Sequence, residues 1–401
     1  MKIKNYWLLM PQTAKLIEAF SDKSNSFRFV GGCVRDCIIG KKVTDIDVAT
    51  SLLPDEVIKL LGESEIKVIP TGIKHGTVTA VIDDKHFEIT TLRKDVSCDG
   101  RHAEVEFSDS WQEDAKRRDF TINALYLSVD GDLFDYFDGA GDLQKGQIKF
   151  IGDARARIVE DYLRILRFFR FYTYYGSNKV DAEALKACAE YAEKIDSVSG
   201  ERIRDEMIKI LSSDKVFRTL ELMQGSGVLY KVLGFNVRIE DNIERVNSDF
   251  RLRVALLIMS ADVGLEKAFG ILSRRWRLSN STSQEIFTLI THVYDIKPDV
   301  DTAEQRKLIR KFSKEIFFLL VRLRKALDKD AYAKRYDDMI DFVRSWQIPV
   351  FPVGGDDLKE LGMVEGKEIG IILNNLEKMW EDSDYQLTKE ELIEGLGNRG
   401  S

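Results

Sequence analysis

The sequence predicts an α+β protein: a small mixed α/β head followed by an all-α neck, body and tail. Three observations carry this. Strand-like and helix-like runs are mixed through the first part of the chain. From Ala154 the apolar spacing becomes helical and stays so. At 401 residues the chain is long enough for two or three domains. The expected division is a head over 1–150, a neck over 151–215, a body over 216–345 and a tail over 346–401.

The head opens with a short amphipathic helix, Pro11 to Phe20, carrying Leu16, Ile17 and Phe20. Phe27, Phe29 and Val30 then read as a buried strand. Gly31 and Gly32 follow, and a helical run from Val34 to Ile39 ends at Gly40. The next strand carries Asp45 and Asp47. Residues i and i+2 of a strand share a face, so the two carboxylates project together while Ile46 and Val48 face the core. Two adjacent carboxylates repel unless a cation sits between them. Oxygen ligands of this kind suit Mg²⁺, which keeps contacts to substrate phosphates. A Gly-Gly turn lets backbone N–H groups approach a triphosphate. Arg35, just inside the helix, offers the same phosphates a planar fork of donors. Gly-Gly by itself is often only a turn, and Asp-x-Asp is often an exposed loop. The two together, in the order strand, turn, helix, strand, describe a phosphate cradle beside a metal-binding carboxylate pair, which is the apparatus of nucleotidyl transfer.

Pro54 starts a helix running to about Leu61, since proline suits a first helical turn. Three strand-like runs follow: Ile66 to Ile69, His75 to Ile82 and His86 to Leu92, the last two joined by an Asp83-Asp84 turn. Glu88 lies between Phe87 and Ile89. It is either a third acidic residue pointing to the Asp pair or an exposed carboxylate on a sheet face. Arg93 to Trp111 reads as a long irregular loop, which inside a compact domain is usually functional or disordered. Asp114 to Leu125 sets Arg117, Arg118 and Asp119 before an apolar, helix-like run, where charges are paired or directed at a ligand. Leu133 to Gly139 closes the head, with Gly139 and Gly141 in a turn, and Asp142, Leu143 and Ile148 to Ile151 lead out of it.

In the neck, Glu160 to Phe171 is apolar almost all round, so this helix is expected to be buried. Buried arginines need partners. Asp161 and Arg164 are three apart and so adjacent on a helix, with Arg167 and Arg170 continuing the row. One possibility is a salt-bridge ladder that holds the neck together. The other is a reader of base edges. An Asp acceptor beside an Arg donor matches the amino donor and ring acceptors of cytosine and adenine, and neither guanine nor uracil.

Ser199-Gly200-Glu201-Arg202-Ile203 reads as a helix start, with Ser199 as N-cap and Glu201 at the positive end of the dipole. The rest reads as helical, broken at Gly225-Ser226-Gly227, at Lys297-Pro298 and from Ile348 to Gly355. Lys307, Arg310, Lys311 and Lys314 make one basic helical face, extended by Arg322, Arg324 and Lys325. Arg274, Arg275 and Arg277 surround Trp276. These are either solvated faces or a phosphate track for an RNA. Thr388 to Glu391 is a capping box opening a last short helix.

Bulk properties narrow the classes. Composition, 44% hydrophobic and 32% charged, is ordinary for a globular protein. No apolar run approaches the length of a membrane span. The start shows neither a signal peptide nor an Arg-rich transit pattern, so a cytoplasmic protein is expected. Four scattered cysteines and four histidines without ligand spacing suggest neither disulfides nor zinc. A net charge of −7 counts against a wholly basic surface but allows local basic patches.

The run Gly31-Gly32-Cys33-Val34-Arg35-Asp36 with Asp45-Ile46-Asp47 resembles the first motif of the polymerase-β-like nucleotidyltransferases. More closely, it resembles the class II CCA-adding enzymes, the tRNA nucleotidyltransferases, and their bacterial poly(A) polymerase relatives. Arg117 to Leu125 matches the family's second motif letter for letter. Glu160-Asp161 with Arg164 and Arg167 matches its templating motif, and Ser199 to Ile203 resembles its fifth, whose role there is mainly to brace the neck. The resemblance covers essentially the whole chain and is densest from residue 27 to 205.

That resemblance implies a polymerase-β-like head and template-independent, Mg²⁺-dependent addition of C, C and A to the tRNA 3′ acceptor end. CTP and ATP are the substrates and pyrophosphate is released. It implies Asp45 and Asp47 as catalytic metal ligands. Gly32, Arg35, Arg118, Asp161, Arg164, Arg167 and Arg170 are implied as nucleotide-binding residues, with Asp161 and Arg164 choosing the base. The segment from Arg93 corresponds to the flexible loop of CCA-adding enzymes, which argues against a CC-only enzyme. An A-adding-only enzyme, a poly(A) polymerase and a non-catalytic tRNA-binding protein are the alternatives. The intact Asp45/Asp47 pair speaks against the last.

Overall fold

A computed structural model describes residues 6–98, 103–329, 331–362 and 366–397. The chain forms two compact units: Met1–Phe250 with Ser260–Ser279, and Arg251–Met259 with Asn280–Ser401.

The first unit holds a seven-stranded sheet built from β1 (Phe27–Val30), β2 (Ile46–Thr50), β3 (Lys67–Gly72), β4 (Thr77–Ile82), β5 (Lys85–Thr91), β8 (Leu125–Leu127) and β9 (Leu133–Asp135). Strand order is β3-β4-β5-β2-β1-β8-β9. Every neighbouring pair is antiparallel except β2 and β5. β1 earns its central place by burying Phe27, Phe29 and Val30. Trp7 meets Phe29 edge-on and Phe20 packs on Phe27, which pins α1 (Pro11–Ala19) and its flanks to the sheet. The helix α2 (Gly32–Ile38) follows β1 directly, and α3 (Pro54–Glu63) follows β2.

Three sequence expectations for the head change. Residues 93–107 are not an irregular loop. They form a separate antiparallel hairpin, β6 (Arg93–Cys98) and β7 (Ala103–Phe107), with a bulge between Asp95 and Ser97. The alternation of Ala103, Val105 and Phe107 with Glu104 and Glu106 is the period-two signal for it. The tip, 99–102, lies outside the described residues. Nor is the run after Asp119 a helix. After α4 (Trp111–Lys116) the chain makes a 3₁₀ turn, Thr121–Asn123, into β8. All three residues of β8 are buried, and a strand buried on both faces shows no alternation to read. Gly139 and Gly141 lie in α5 (Gly139–Lys145) rather than a turn. A Cβ on Gly139 would sit 2.1 Å from the Thr121 carbonyl oxygen, so only glycine allows that approach.

The neck is two helices, α6 (Ala154–Glu160) and α7 (Leu163–Tyr175), not one. Asp161 is extended, at φ −155° and ψ 107°. Its carboxylate accepts the Leu163 N–H at 3.1 Å and its carbonyl accepts the Arg164 N–H at 3.0 Å. Asp161 therefore caps α7 instead of sharing a helical face with Arg164. Phe120, Phe150, Phe168 and Phe171 form one aromatic cluster that joins the sheet's edge to α7. The unit continues through α8 (Ala182–Glu190), α9 (Gly200–Leu211), α10 (Val216–Gly225), α11 (Val228–Leu233), α12 (Asn242–Arg245) and, after a passage through the second unit, a helix at Leu265–Trp276.

The second unit is helical. It contains α13 (Phe250–Met259), α15 (Asn280–His292), α16 (Thr302–Phe312), α17 (Lys314–Leu327) and α18 (Ala333–Ser345), α14 being the Leu265–Trp276 helix of the first unit. The tail adds α19 (Gly355–Glu360), α20 (Lys367–Asp382) and α21 (Lys389–Gly397) around Leu358, Leu376, Trp380 and Leu392. The predicted capping box is present: the Thr388 hydroxyl accepts the Glu391 N–H, and Glu391 accepts the Thr388 N–H at 2.8 Å.

The predicted single basic face is divided: Lys307, Arg310 and Lys311 lie on α16, but a break at Ser313, φ +78°, puts Lys314 at the start of α17, and neither part is an open phosphate track. Arg306 pairs with Asp384, Lys307 with Asp382 at 2.9 Å, and Arg310 with Glu377 and Glu381. Lys311 reaches Asp295 at 3.5 Å and Lys314 donates to the Trp346 carbonyl at 2.7 Å. Among the described residues no helix is long and apolar enough to cross a membrane.

Candidate active site

The site starts where β1 turns into α2. Gly31 sits at φ +71°, a backbone conformation that glycine adopts without strain. Its N–H donates to the Leu125 carbonyl at 3.1 Å, which ties the turn to β8. Arg35, one turn into α2, is 8% exposed and fully engaged. Its guanidinium donates to Asp36 at 3.0 and 3.2 Å and to the Asn123 side-chain oxygen at 2.6 Å, and it lies 4.2 Å over the Tyr175 ring. The Tyr175 hydroxyl donates to Asp36 at 2.8 Å. A buried Arg held on three sides has one orientation, and its remaining edge faces the cavity described below.

Asp45 stands just before β2 and is exposed, accepting the Thr44 hydroxyl at 3.2 Å. Asp47, inside β2, is half-buried. It is in direct register with Glu88 on β5, and Glu88 in turn with Thr79 on β4. Burial, and then the Glu88 carboxylate, push Asp47 up to about 6, and Asp45 adds to the push while Arg118 and Arg35 oppose it. Arg118 and Arg35 thus offset only part of what burial and the neighbouring carboxylates impose on Asp47. Such a donor set fits a hard divalent cation. Among the described residues no three His, Cys, Asp or Glu side chains converge as a ready-made metal site.

The second wall comes from the turn between α4 and β8. Asp114 is 1% exposed and accepts from Arg117 at 2.7 Å, Arg118 at 3.2 Å and the Tyr126 hydroxyl at 2.7 Å. Burial pushes its carboxyl up, but the two guanidiniums outweigh that and hold it at about 2. Asp119 accepts the Asn123 amide at 3.0 Å and the Arg167 guanidinium at 2.7 Å. Burial opposes its charge as well, and Arg167 holds it below the usual carboxylate range. A continuous chain, Tyr175–Asp36–Arg35–Asn123–Asp119–Arg167, therefore runs from α7 through α2 and the turn back to α7.

The neck supplies the third wall. Asp161 accepts from Arg202 of α9 at 2.7 Å. Arg164 donates to the Arg157 carbonyl at 2.7 Å and pairs with Glu160. A cavity of about 430 Å³ is lined by Gly31, Gly32, Arg35 and Asp47 from the sheet side, by Arg117, Arg118, Asp119 and Asn123 from the turn, and by Asp161, Arg164, Arg167 and Arg202 from the neck.

Seven of the nine sequence-predicted site residues therefore meet in one cavity. Asp45 lies outside its lining, at the exposed rim. Arg170 does not line it either: it is turned to α9, where it donates to the buried Glu206 at 2.6 Å. Arg117 and Asp119, expected from the sequence to be paired or directed at a ligand, line the cavity as well, while sequence reasoning did not single out Asn123 or give Arg202 a place in the site. Asn123 sits inside the quoted motif, and a polar residue between Ile122 and Ala124 in an apolar run is the signal that marks it.

Residues 27–149 match the model of the Poly A polymerase head domain, and residues 179–233 match the Probable RNA and SrmB-binding site of polymerase A. The chain is 36% identical over 413 residues to a Danio rerio protein named CCA tRNA nucleotidyltransferase 1, mitochondrial, covering 95% of this chain and 89% of that protein. It is 33% identical over 299 residues to a Lactobacillus gasseri protein named CCA-adding enzyme, with 73% of each covered. It is similar to the crystal structure of the Bacillus stearothermophilus CCA-adding enzyme in complex with CTP, at a TM-score of 0.78 and 26% identity, covering 97% of this chain and 98% of that one. A Thermotoga maritima CCA-adding enzyme complexed with tRNA shares the fold, at a TM-score of 0.63 and 20% identity over 99% and 98% of the two chains.

Proposed function

The chain belongs to the CCA tRNA nucleotidyltransferase family, and we propose that the cavity between its head and neck is where C, C and A are joined to the tRNA 3′ end. It is a nucleotidyltransferase of tRNA processing; CTP and ATP are its substrates and the tRNA acceptor end its partner. The observation that carries the assignment to this site is that the phosphate cradle, a half-buried carboxylate and the base-reading candidates line a single cavity.

The residues divide the work. The N–H groups at the Gly31-Gly32 turn, with Arg35 and Arg118, bind and orient the triphosphate. Asp45 and Asp47 would hold Mg²⁺, which supplies Lewis-acid stabilisation to the attacking and leaving oxygens. Glu88, in register with Asp47 and felt by it, adds negative charge beside the pair without joining it as a third ligand. The tRNA 3′-hydroxyl attacks the α-phosphorus and pyrophosphate leaves. Asp161 accepts from the exocyclic amino group of cytosine or adenine, and Arg164 donates to the ring acceptor beside it. Arg167, held by Asp119, steadies that wall of the cavity. Arg170 supports it from behind through Glu206. The head carries the chemistry and the neck the base choice, while the body and tail hold the tRNA.

We also place the protein in the cytoplasm. The names of the Danio rerio, mouse and human relatives include the word mitochondrial, so fractionation of a tagged chain decides between the two compartments.

The activity test uses three tRNA transcripts, ending at the discriminator base, after the first C and after the second C. Each is incubated with Mg²⁺ and CTP, ATP or both, and resolved on a sequencing gel. Addition of C, C and A and then a halt is the expected result. Extension of only the third transcript by a single A would make this an A-adding enzyme, and a long A ladder a poly(A) polymerase. Binding of tRNA with no addition would make it a tRNA-binding protein.

A further inference from the structure

The segment from Ser199 to Ile203, which by resemblance merely braces the neck, puts one side chain into the cavity. Ser199 makes no capping bond through its hydroxyl. Glu201 turns away to Arg277 at 2.7 Å, and Arg204 to Asp205 at 2.9 Å and the Arg277 carbonyl at 3.0 Å. These contacts do brace the helix. Arg202 does something else. It lines the cavity, its side chain is 34% exposed, and its polar partner among the described residues is Asp161, at 2.7 Å.

We propose that Arg202 is a positioning residue for base choice, fixing the orientation of the Asp161 carboxylate that reads the incoming nucleotide. The inference rests on the base-reading role of Asp161 given above. Asp161 sits in the break between α6 and α7, so no helical neighbour restricts its side chain. Two donors set it instead. The Leu163 N–H takes Oδ1 at 3.1 Å and Arg202 takes Oδ2 at 2.7 Å. An ionised carboxylate has about four lone-pair directions. With one used on each oxygen, the plane is fixed and each oxygen keeps a free acceptor direction.

The Arg202 end of this arrangement is itself immobile. A Cβ on Gly200 would lie 2.2 Å from the Arg275 carbonyl oxygen, so the start of α9 is packed backbone on backbone. One turn further, the buried Glu206 holds Arg170 of α7. The reader is therefore built from three elements: α7 supplies the cap donor, the break supplies the carboxylate, and α9 supplies the clamp. Without the clamp the carboxylate keeps its cap bond but can swing about it. An acceptor that swings no longer separates an amino group on cytosine or adenine from the carbonyl of uracil or guanine.

The test measures kcat and KM for CTP, ATP, UTP and GTP on tRNA ending at the discriminator base and after the second C, for the wild-type chain, R202M, R202K and D161A. Tm is recorded for each. For R202M the preference for CTP over UTP and for ATP over GTP is expected to fall about tenfold or more, with correct transfer persisting and Tm close to wild type. R202K, which keeps a cationic donor, is expected to restore much of the preference. If R202M raises KM for all four nucleotides alike and leaves base choice intact, Arg202 is a phosphate contact and the proposal fails. If R202M lowers Tm but keeps full discrimination, Arg202 only braces the neck, and the proposal fails again. Unchanged base choice in D161A would instead remove the base-reading role itself, a separate outcome.

Discussion

Asp47 on β2 and Glu88 on β5 stand directly opposite each other across the one parallel pair of the sheet, two carboxylates in register. Like charges so placed oppose folding. Asp47, pushed to about 6 by burial and by Glu88, gives the folded chain a proton that an unfolded Asp, near about 3.9, would not hold. In the ion-free chain its contribution to stability is therefore lost as pH rises through about 6. A bound cation removes the repulsion above that pH and competes with the proton below it. Mg²⁺ is expected to raise Tm more at pH 7.5 than at pH 5. E88Q should shrink that difference, since it removes part of the repulsion. A Mg²⁺-induced shift of equal size at both pH values in the wild-type chain would contradict the arrangement.

Asp114 shows the opposite sign. It is held at about 2, so its share of stability is present above the unfolded value of about 3.9 and is lost as pH falls toward about 2. Its carboxylate is the counter-charge for Arg117 and Arg118 and the acceptor for Tyr126. Removing one partner of a buried ion pair costs about 3–5 kcal/mol. D114N is expected to unfold at a clearly lower temperature than wild type at pH 7. The two curves should converge as pH is lowered from 5 to 2.5, read by circular dichroism. A constant gap would mean that the Asp114 charge is not what holds the turn.

Asn123 joins the two halves of the hydrogen-bonded chain beneath the triphosphate cradle, accepting from Arg35 and donating to Asp119. N123A leaves the Arg35 guanidinium short of one acceptor and Asp119 short of one donor, a cost of about 1–3 kcal/mol for each buried group so left. The expected kinetic effect is a rise in KM for CTP and ATP alike, with base choice intact, because the cradle and not the reader is disturbed. A change in base choice with KM unaltered would assign Asn123 to the other wall.

What the sequence made legible follows from how far apart the partners lie in the chain. Asp45, expected on the strand face of Asp47, stands outside β2 and is exposed, but the glycine turn, Asp47 and the adjacent Arg117 and Arg118 are each marked by neighbouring residues in the chain. Periodicity and turn chemistry suffice for them. Asn123 and Arg202 act on Arg35 and Asp161, which lie 88 and 41 residues away, and no local pattern records such a pairing. The break at Asp161 was missed because Leu163, Ile165 and Leu166 continue an apolar helical spacing across it. Arg170, placed at the nucleotide site by family resemblance, is turned away because each i+3 step moves a side chain roughly 60° round the helix, and two steps from Arg164 its guanidinium meets Glu206 of α9.

The basic face of α16 gives the sharpest departure, and it can be tested directly. Four acidic residues near the end of α20, Glu377, Glu381, Asp382 and Asp384, already take up Arg306, Lys307 and Arg310. Cations neutralised in this way release few counterions when RNA arrives. K307A and K311A are each expected to change tRNA affinity less than about twofold and to leave the salt dependence of binding almost unaltered. The same pairs should instead govern how α20 stays docked. Arg310 is 19% exposed, bonds two carboxylates and lies near the Trp380 ring, so R310E should lower Tm and open the tail to protease. Reversing the partners as well, in R310E/E377K/E381K, should restore much of both. If K307A and K311A instead cut tRNA affinity tenfold and flatten its salt dependence, the phosphates displace the α20 carboxylates on binding, and the ladder is an exchangeable contact rather than a fixed one.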